Sequence, residues 1–363
     1  MSESIRDIEV SLGPRSYRIH SGPGLLRDES WLCERIPHRR ILLVSDENVA
    51  PLYLDRLQAA LGERELHSQV IPAGEAEKTL ARLGEIHDHC AQIGLPRDGV
   101  ILALGGGVIS DLAGFAAATW HRGVDFIPLP TTLLAQVDAA VGGKTAINHP
   151  SGKNLIGAFH QPRAVIADSD TLTSLPEREY RAGLAEVIKH AVIADPHLLH
   201  WLEARVRQLK ERDPGTLADT VIACCRIKAK IVSEDETEQG RRAILNFGHT
   251  FGHAIETAGK HGEWLHGEAV AAGMALALEL SRRLELIDED YRNRIIGLMK
   301  ALELPVEAPR MPPEQWLDLM GRDKKVSAGR IRFIVVDGPG SAVVRDAVDP
   351  ATLHEVLQWS PSR

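Results

Sequence analysis

The sequence predicts an α/β parallel-sheet domain followed by a mainly helical one, and three observations carry that expectation. Apolar runs with no polar alternation recur through the first half, each followed by a stretch of helical spacing, which is the pattern of a parallel sheet covered on both faces. After the segment "LTSLPERE" (172–179) that alternation gives way to a series of long helical patterns. At 363 residues the chain also exceeds what one hydrophobic core usually serves. The first domain is expected over 1–177 and the second over 178–363.

Each element has its own signal. "RRILLVSDENV" (39–49) is an apolar run closed by turn residues, and "LYLDRLQAALG" (52–62) spaces its apolar residues as a helix does. "LHSQVIPAGE" (66–75) reads as a strand entering a loop, and "ARLGEIHDHCAQIG" (81–94) as a helix ended by glycine. "GVILALGGG" (99–107) is a buried strand running into glycines, "VDFIPLPTTLLAQVDAAV" (124–141) a strand, a turn and a helix, and "RAVIADSDTL" (163–172) the last strand of this half. Helical patterns then cover 179–195, 196–211, 215–233, 243–260, 266–284, 290–301 and 313–321. Short strands return at "RIRFIVVDG" (330–338) and "SAVVRDAV" (341–348).

Composition narrows the class. An apolar share of 44% and a charged share of 25% are those of an ordinary globular protein. A net charge of −8 and only 4% aromatics argue against a nucleic-acid partner, which calls for basic surface and stacking rings. Any bound anion must then be held by a local basic cluster. The most apolar window, "VILALGGGVISDLAGFAAA" (100–118), is long enough for a membrane span but carries Asp111 and three consecutive glycines, which suit a strand–turn–helix. The N-terminus lacks a signal-peptide pattern. None of Cys33, Cys90, Cys224 and Cys225 forms a CxxC, and the adjacent pair cannot bridge comfortably. A soluble, reduced, cytoplasmic protein without membrane partners is expected.

Four stretches could carry chemistry. In "LALGGGVISDLAGF" (102–115), glycines between a strand and a helix let the backbone approach a phosphate, and the helix N-terminus offers free N–H groups. Ser110 stands where G-x-G-x-x-G needs its third glycine, so a tight packing turn is an equal reading. "AAVGGKTAINHPSGKNLIGAF" (139–159) sets Lys144, Lys153 and Asn154 after glycines. It is not a P-loop, and a solvated loop competes with anion binding. "RAGLAEVIKHAVI" (181–193) places Glu186 and Lys189 three apart on an otherwise apolar helix, where a charged pair needs a reason. "LNFGHTFGHAIE" (245–256) puts His249 and His253 on one helix face, and "LHGEAV" (265–270) adds His266 at a helix start. Glu186, His249 and His266 form a two-histidine, one-carboxylate set suited to a divalent ion. Spacing alone would rather pair His249 with His253, and it leaves the third ligand open.

Taken in order, "GGGVISDLAGF", "PTTLLAQVDAAVGGKTAINHPSGKNLIGAF", "EVIKH", "LNFGHTFGHAIE", "LHGEAVAAGM" and "RDKKVSAGRIRF" resemble the 3-dehydroquinate synthase family, over about residues 40–340. The resemblance implies an NAD-binding α/β domain, a helical metal domain and a homodimer. It implies Glu186, His249 and His266 as ligands of zinc, with cobalt as the alternative ion, and His253 as a site histidine beside the metal. For substrate and catalysis it implies Arg122, Asp138, Lys144, Lys153, Asn154, Lys189, Lys228, Arg242, Asn246, His253 and one of Lys324 or Lys325. For NAD it implies Asp46, Asn48, Glu75, Lys78, Gly106, Gly107, Asp111, Thr131, Thr132 and Thr171, with Lys144 and Lys153 alongside. The departures are Ser110, Trp120-His121 before Arg122, and His160 at a usual tyrosine position.

The implied reaction takes an anionic substrate, 3-deoxy-D-arabino-heptulosonate 7-phosphate, to 3-dehydroquinate and phosphate. Transient oxidation by NAD, β-elimination of phosphate, re-reduction and an intramolecular aldol closure would follow one another. A metal-dependent polyol dehydrogenase is the first rival expectation, and a cyclase acting on sedoheptulose 7-phosphate or glucose 6-phosphate the second. Those sugar phosphates lack the carboxylate, and Arg242, Asn246 and His253 together favour the acid. A non-catalytic binding module is the outsider.

Overall fold

The computed structural model describes residues 5–259, 263–321 and 331–361. Backbone contacts divide the chain into two units, Met1–Leu175 with Pro214–Thr237, and Pro176–Asp213 with Glu238–Arg363. In chain order the first unit holds β1 (Arg6–Val10), β2 (Tyr17–Gly22), α1 (Glu29–Arg35), β3 (Arg40–Asp46), α2 (Ala50–Leu61), β4 (Glu65–Ile71), α3 (Leu80–Gln92), β5 (Val100–Gly105), α4 (Gly107–Thr119), β6 (Asp125–Pro130), β7 (Lys144–His149), β8 (Gly152–Phe159) and β9 (Ala164–Asp168). The second unit then begins with α5 (Glu177–Ala194), α6 (Pro196–Glu203) and α7 (Val206–Lys210). The chain returns to the first unit through α8 (Pro214–Glu234).

β4, β3, β5 and β6 form one sheet in that order, and every pairing is parallel. Alternation along β3 explains why Ile41 to Val44 are all apolar. Ile41 and Leu43 join Leu25, Leu32, Ile36 and Leu57 on one face, while Leu42 and Val44 join Leu83, Ile86, Ile109 and Leu112 on the other. From β3 the chain goes to β4 on one side and then crosses to β5 on the other. The C-terminal ends of β3 and β5 therefore flank a topological switch point, where ligands of such sheets bind.

Three features of this unit differ from the expectation. The segment after β6 forms only a short π-helical turn, Ala135–Ala139. The glycine-rich stretch that follows is an antiparallel hairpin of β7 and β8. β9 pairs in parallel with β2 in a separate three-stranded sheet completed by β1. Its closing residue, Asp168, accepts hydrogen bonds from the backbone N–H groups of Gly24 (2.9 Å) and Leu26 (2.9 Å).

The second unit continues with α9 (His249–Ala258), α10 (His266–Arg283), α11 (Glu289–Ala301), α12 (Pro313–Gly321), the hairpin β10 (Phe333–Gly338) and β11 (Ser341–Arg345), and α13 (Pro350–Leu357). The helix expected over 243–260 is broken. A 3-10 turn covers Arg241–Asn246, and Gly248 sits in the left-handed region (φ 79°) before α9 begins. That break swings His249 to the first position of a new helix. No helix among the described residues is long and apolar enough to cross a membrane, and all four cysteines are free thiols.

Candidate functional site

In the second unit, α5, α9 and α10 meet through glycines. A Cβ placed on Gly267, the second residue of α10, would lie 1.9 Å from the Ala182 carbonyl oxygen on α5, and one on Gly273 would lie 2.2 Å from Gly248 O. Only hydrogen fits at these points, so the backbones approach more closely than any side chain would allow. The consequence is that Glu186 of α5 and the first residues of α9 and α10, His249 and His266, face one another.

Every residue of α5 from Ala182 to Ile193 is buried, and Glu186 is fully so. A carboxylate this deep costs several kcal/mol unless compensated. Neither of its oxygens accepts a hydrogen bond from any described residue, although Lys189 Nζ forms an ion pair with Oε2. Oε1 faces His249 Nε2 at 3.7 Å and His266 Nε2 at 3.7 Å. These separations are too long for hydrogen bonds. They do suit a shared cation, because two atoms bound to one tetrahedral zinc at about 2.1 Å lie about 3.4 Å apart.

The proton positions agree. His249 Nδ1 lies 3.2 Å from Phe247 O. A carbonyl can only accept, so Nδ1 carries the hydrogen and the Nε2 lone pair points at Glu186. His266 Nδ1 lies 3.4 Å from Glu256 Oε2. Burial opposes a charged His266 ring, yet Glu256 and then Glu186 outweigh it and hold its pKa above the ordinary histidine value. Two carboxylates around one ring thus create a demand for positive charge. The donor set fits a divalent ion.

His253 lies beside this set. Its ring centroid is 5.6 Å from that of His249 and 6.3 Å from that of His266. A second, shallower group of His253, Glu256 and His266 also clusters closely enough to hold a cation. Glu268 belongs to neither group. It accepts a hydrogen bond from Leu265 N at 2.8 Å, closing the start of α10, and pairs with Arg178 at 2.6 Å. Arg242 is buried on the 3-10 turn, and Asn246 Nδ2 donates to Glu238 Oε1 at 2.7 Å. Lys324 and Lys325 lie outside the described residues.

In the first unit, the switch point gathers much of the expected nucleotide set. Asp46 closes β3 and accepts hydrogen bonds from the N–H groups of Asn48 (2.9 Å) and Val49 (3.1 Å); burial raises its pKa. Gly106 and Gly107 lead from β5 into α4, and a Cβ on Gly106 would press on Thr132 at 3.1 Å. Thr131 N donates to Gly105 O, and the Thr132 hydroxyl accepts from Ala135 N. Lys78, itself buried, pairs with Asp111 at 2.7 Å. Burial raises the Asp111 pKa, and Lys78 works against that rise. Glu75 accepts from Asn148 Nδ2 at 2.8 Å. The Thr171 hydroxyl donates to Asp168 O at 2.6 Å and accepts from Gln136 Nε2 at 3.1 Å, an amide that also donates to Pro130 O at the end of β6.

The basic residues of this unit come from several of its elements. Lys228 of α8 pairs with Asp138 at 2.6 Å. Lys144 begins β7 opposite Phe159, whereas Lys153 stands at the turn end of the hairpin. Asn154 (φ 54°) and Arg122 (φ 63°) are exposed and hold left-handed backbone conformations. Ser110 is buried and its hydroxyl has no hydrogen-bond partner among the described residues; His160 Nε2 lies 2.9 Å from Val124 O.

Three residues not singled out by the sequence reading join these groups: Asn148, Glu238 and Glu256. Asn148 links Glu75 to the hairpin through Asn154 N at 2.9 Å. Glu256 had a legible signal, because positions 249, 253 and 256 share one helix face.

Comparison with known proteins identifies the family. Residues 68–182 match the family described as 3-dehydroquinate synthase N-terminal, and residues 183–326 match 3-dehydroquinate synthase C-terminal. The chain is 51% identical over 98% of its length to the 3-dehydroquinate synthase of Acidithiobacillus ferrooxidans, with 98% of that protein covered. It is 49% identical over 97% of its length to that of a Shewanella species, with 99% covered. Among solved structures it is similar to 2-epi-5-epi-valiolone synthase from Streptomyces hygroscopicus with NAD+ and Zn2+ bound (TM-score 0.88, 30% identity, 96% of this chain and 97% of that one). It is also similar to 2-deoxy-scyllo-inosose synthase complexed with carbaglucose-6-phosphate, NAD+ and Co2+ (TM-score 0.89, 27% identity, 97% and 99%). A glycerol dehydrogenase from Schizosaccharomyces pombe shares the fold at 17% identity and a TM-score of 0.64, over 93% of this chain and 87% of that one. By both halves of its sequence and by full-length identity, the chain belongs to the 3-dehydroquinate synthase family.

Proposed function

We propose that the protein converts 3-deoxy-D-arabino-heptulosonate 7-phosphate to 3-dehydroquinate and phosphate, as an NAD- and divalent-metal-dependent carbon–oxygen lyase of the shikimate pathway. The observation that carries this reading is Glu186, a buried carboxylate whose Oε1 faces two histidine Nε2 atoms at 3.7 Å. Zinc, with cobalt as the alternative, would be held by Glu186, His249 and His266. Such a metal would supply Lewis acidity toward a substrate hydroxyl, and NAD would serve as a transient hydride acceptor.

The chain's own residues do the rest. His249 and His266 keep their Nδ1 protons on Phe247 O and Glu256, so neither ring is available as an acid through Nε2. His253 lies outside the ligand set and is the imidazole left to move a proton. Lys189 holds Glu186 Oε2, which leaves Oε1 for the cation. Arg242 and Asn246, with the described lysines, are assigned to the substrate's carboxylate and phosphate, for which charge-assisted bonds are about twice as strong as neutral ones. The switch-point residues Asp46, Asn48, Gly106, Gly107, Thr131 and Thr132, with Glu75, Lys78, Asp111 and Thr171, are assigned to NAD. Elimination of phosphate follows oxidation because the new ketone acidifies the adjacent C–H. The protein is further proposed to act as a homodimer in the cytoplasm.

The test is incubation of the purified protein with the heptulosonate phosphate, NAD and zinc, following inorganic phosphate and reduced nicotinamide together. Phosphate release with no net NADH is expected. Net NADH accumulation in step with substrate would identify a dehydrogenase and overturn the proposal.

A further inference from the structure

Glu256 is not among the metal ligands proposed above, yet it touches one of them. It sits on α9 seven residues after His249, on the same helix face, and its side chain is 12% exposed. Its Oε2 lies 3.4 Å from His266 Nδ1, while the other nitrogen of that ring lies 3.7 Å from Glu186 Oε1. One imidazole thus has a carboxylate oxygen at each nitrogen. A neutral ring carries a single proton and can satisfy one of them only. The shorter contact is within hydrogen-bonding reach and the longer is not. The proton therefore belongs on Nδ1, toward Glu256, and the lone pair on Nε2, toward Glu186.

We infer that Glu256 is a positioning residue: its carboxylate accepts the His266 Nδ1–H, fixes the tautomer and ring orientation, and raises the basicity of Nε2 toward the metal. This rests on the assignment of Glu186, His249 and His266 as ligands. The shallower grouping of His253, Glu256 and His266 has a different consequence, since it would need His266 Nδ1 itself as a ligand. Glu256 would then bind the ion directly, and His253 would matter as much as His266. A carboxylate behind a metal-bound imidazole typically changes metal affinity by 10–100-fold when removed.

The experiment measures zinc affinity of the full chain by competition with a chromophoric chelator, for wild type, E256A, E256Q, H266A, H253A and H249A, with the visible spectrum of the cobalt form as a second readout. E256A is expected to weaken zinc binding about 10-fold or more and to shift the cobalt bands. E256Q keeps an acceptor oxygen of the same reach and is expected to recover most of the affinity and the wild-type bands, which a purely structural loss would not do. Nitrogen-15 NMR should show the Nδ1–H tautomer of His266 in wild type and E256Q. E256A binding zinc within about 2-fold of wild type, while H266A loses it, would overturn the inference and leave the ligand set standing. H266A binding zinc like wild type would overturn the ligand set itself. Loss in H253A and E256Q equal to that in H266A, with H249A unaffected, would make Glu256 a ligand and overturn the positioning role.

Discussion

Gly267→Ala is the substitution that should dismantle the proposed metal site without touching a single ligand. The added Cβ would stand 1.9 Å from Ala182 O, against an ordinary contact of 3.4 Å or more, so α10 and α5 must part by about 1.5 Å. Both partners at this point are backbone, and no flexible side chain can yield. Overpacking costs typically about 1–3 kcal/mol, and a backbone-on-backbone clash belongs at the upper end. For a unit of this size about 3 kcal/mol lowers the melting temperature by roughly 6–12 °C. Metal sites tolerate only about 0.2 Å in ligand distance, and His266 is the residue next to the clash. Zinc affinity should therefore fall by more than the destabilisation alone would bring. Gly297→Ala is the control. That glycine lies within α11, and a Cβ there would meet nothing within 4 Å, so the change should stabilise the helix by about 0.5–1 kcal/mol. Scanning calorimetry and chelator competition read both quantities. Gly267→Ala retaining wild-type melting and zinc affinity would refute the claim that glycine-mediated approach builds the site.

Other perturbations address the ligands, the substrate and the fold separately. His249→Ala should lose one of four zinc bonds, about 3 kcal/mol or roughly 100-fold in affinity, while His253→Ala keeps the metal and slows turnover; metal analysis of the two purified variants with equal loss would reverse the ligand assignment. Lys153→Ala should raise the KM for the heptulosonate phosphate and lower turnover, and unchanged kinetics would remove Lys153 from the site. His20 is buried beside Trp31, and burial, followed by Arg35, lowers its pKa to about 4. Its folded pKa lies below the unfolded 6.5, so its contribution is intact above about pH 6.5 and declines as pH falls toward 4, by about 3 kcal/mol in all. Urea midpoints of wild type and His20→Leu, taken at pH 7 and pH 4.5, should show a flatter pH dependence in the variant; parallel curves would contradict this.

The parts of the fold legible in the sequence are those where both faces of a strand are buried. β3, β5 and β6 announce themselves because Ile41–Val44, Val100–Leu104 and Phe126–Leu129 have no solvent-facing position to fill with a polar residue. β8 has the opposite character, with Lys153 to Ile156 exposed on both faces, so no periodicity marks it. Nothing in the helical pattern of α8 tells that it packs with the sheet-containing unit, since its partners there are set by the tertiary fold. The metal set shows the same division. The charged pair on α5 is conspicuous locally, because Glu186 and Lys189 interrupt an apolar helix. Its partners lie 63 and 80 residues away, and spacing alone prefers His253, which shares a helix face with His249. What brings His266 to Glu186 is the close approach of α10 to α5 at Gly267, a property of packing that no local pattern carries.

Zinc-edge anomalous diffraction from zinc-loaded crystals would locate the ion itself. A peak is expected about 2.0–2.2 Å from Glu186 Oε1, His249 Nε2 and His266 Nε2, with His253 beyond bonding distance. A peak held instead by His253 and Glu256, or none near α5, would contradict the three-ligand site on which the proposed chemistry depends.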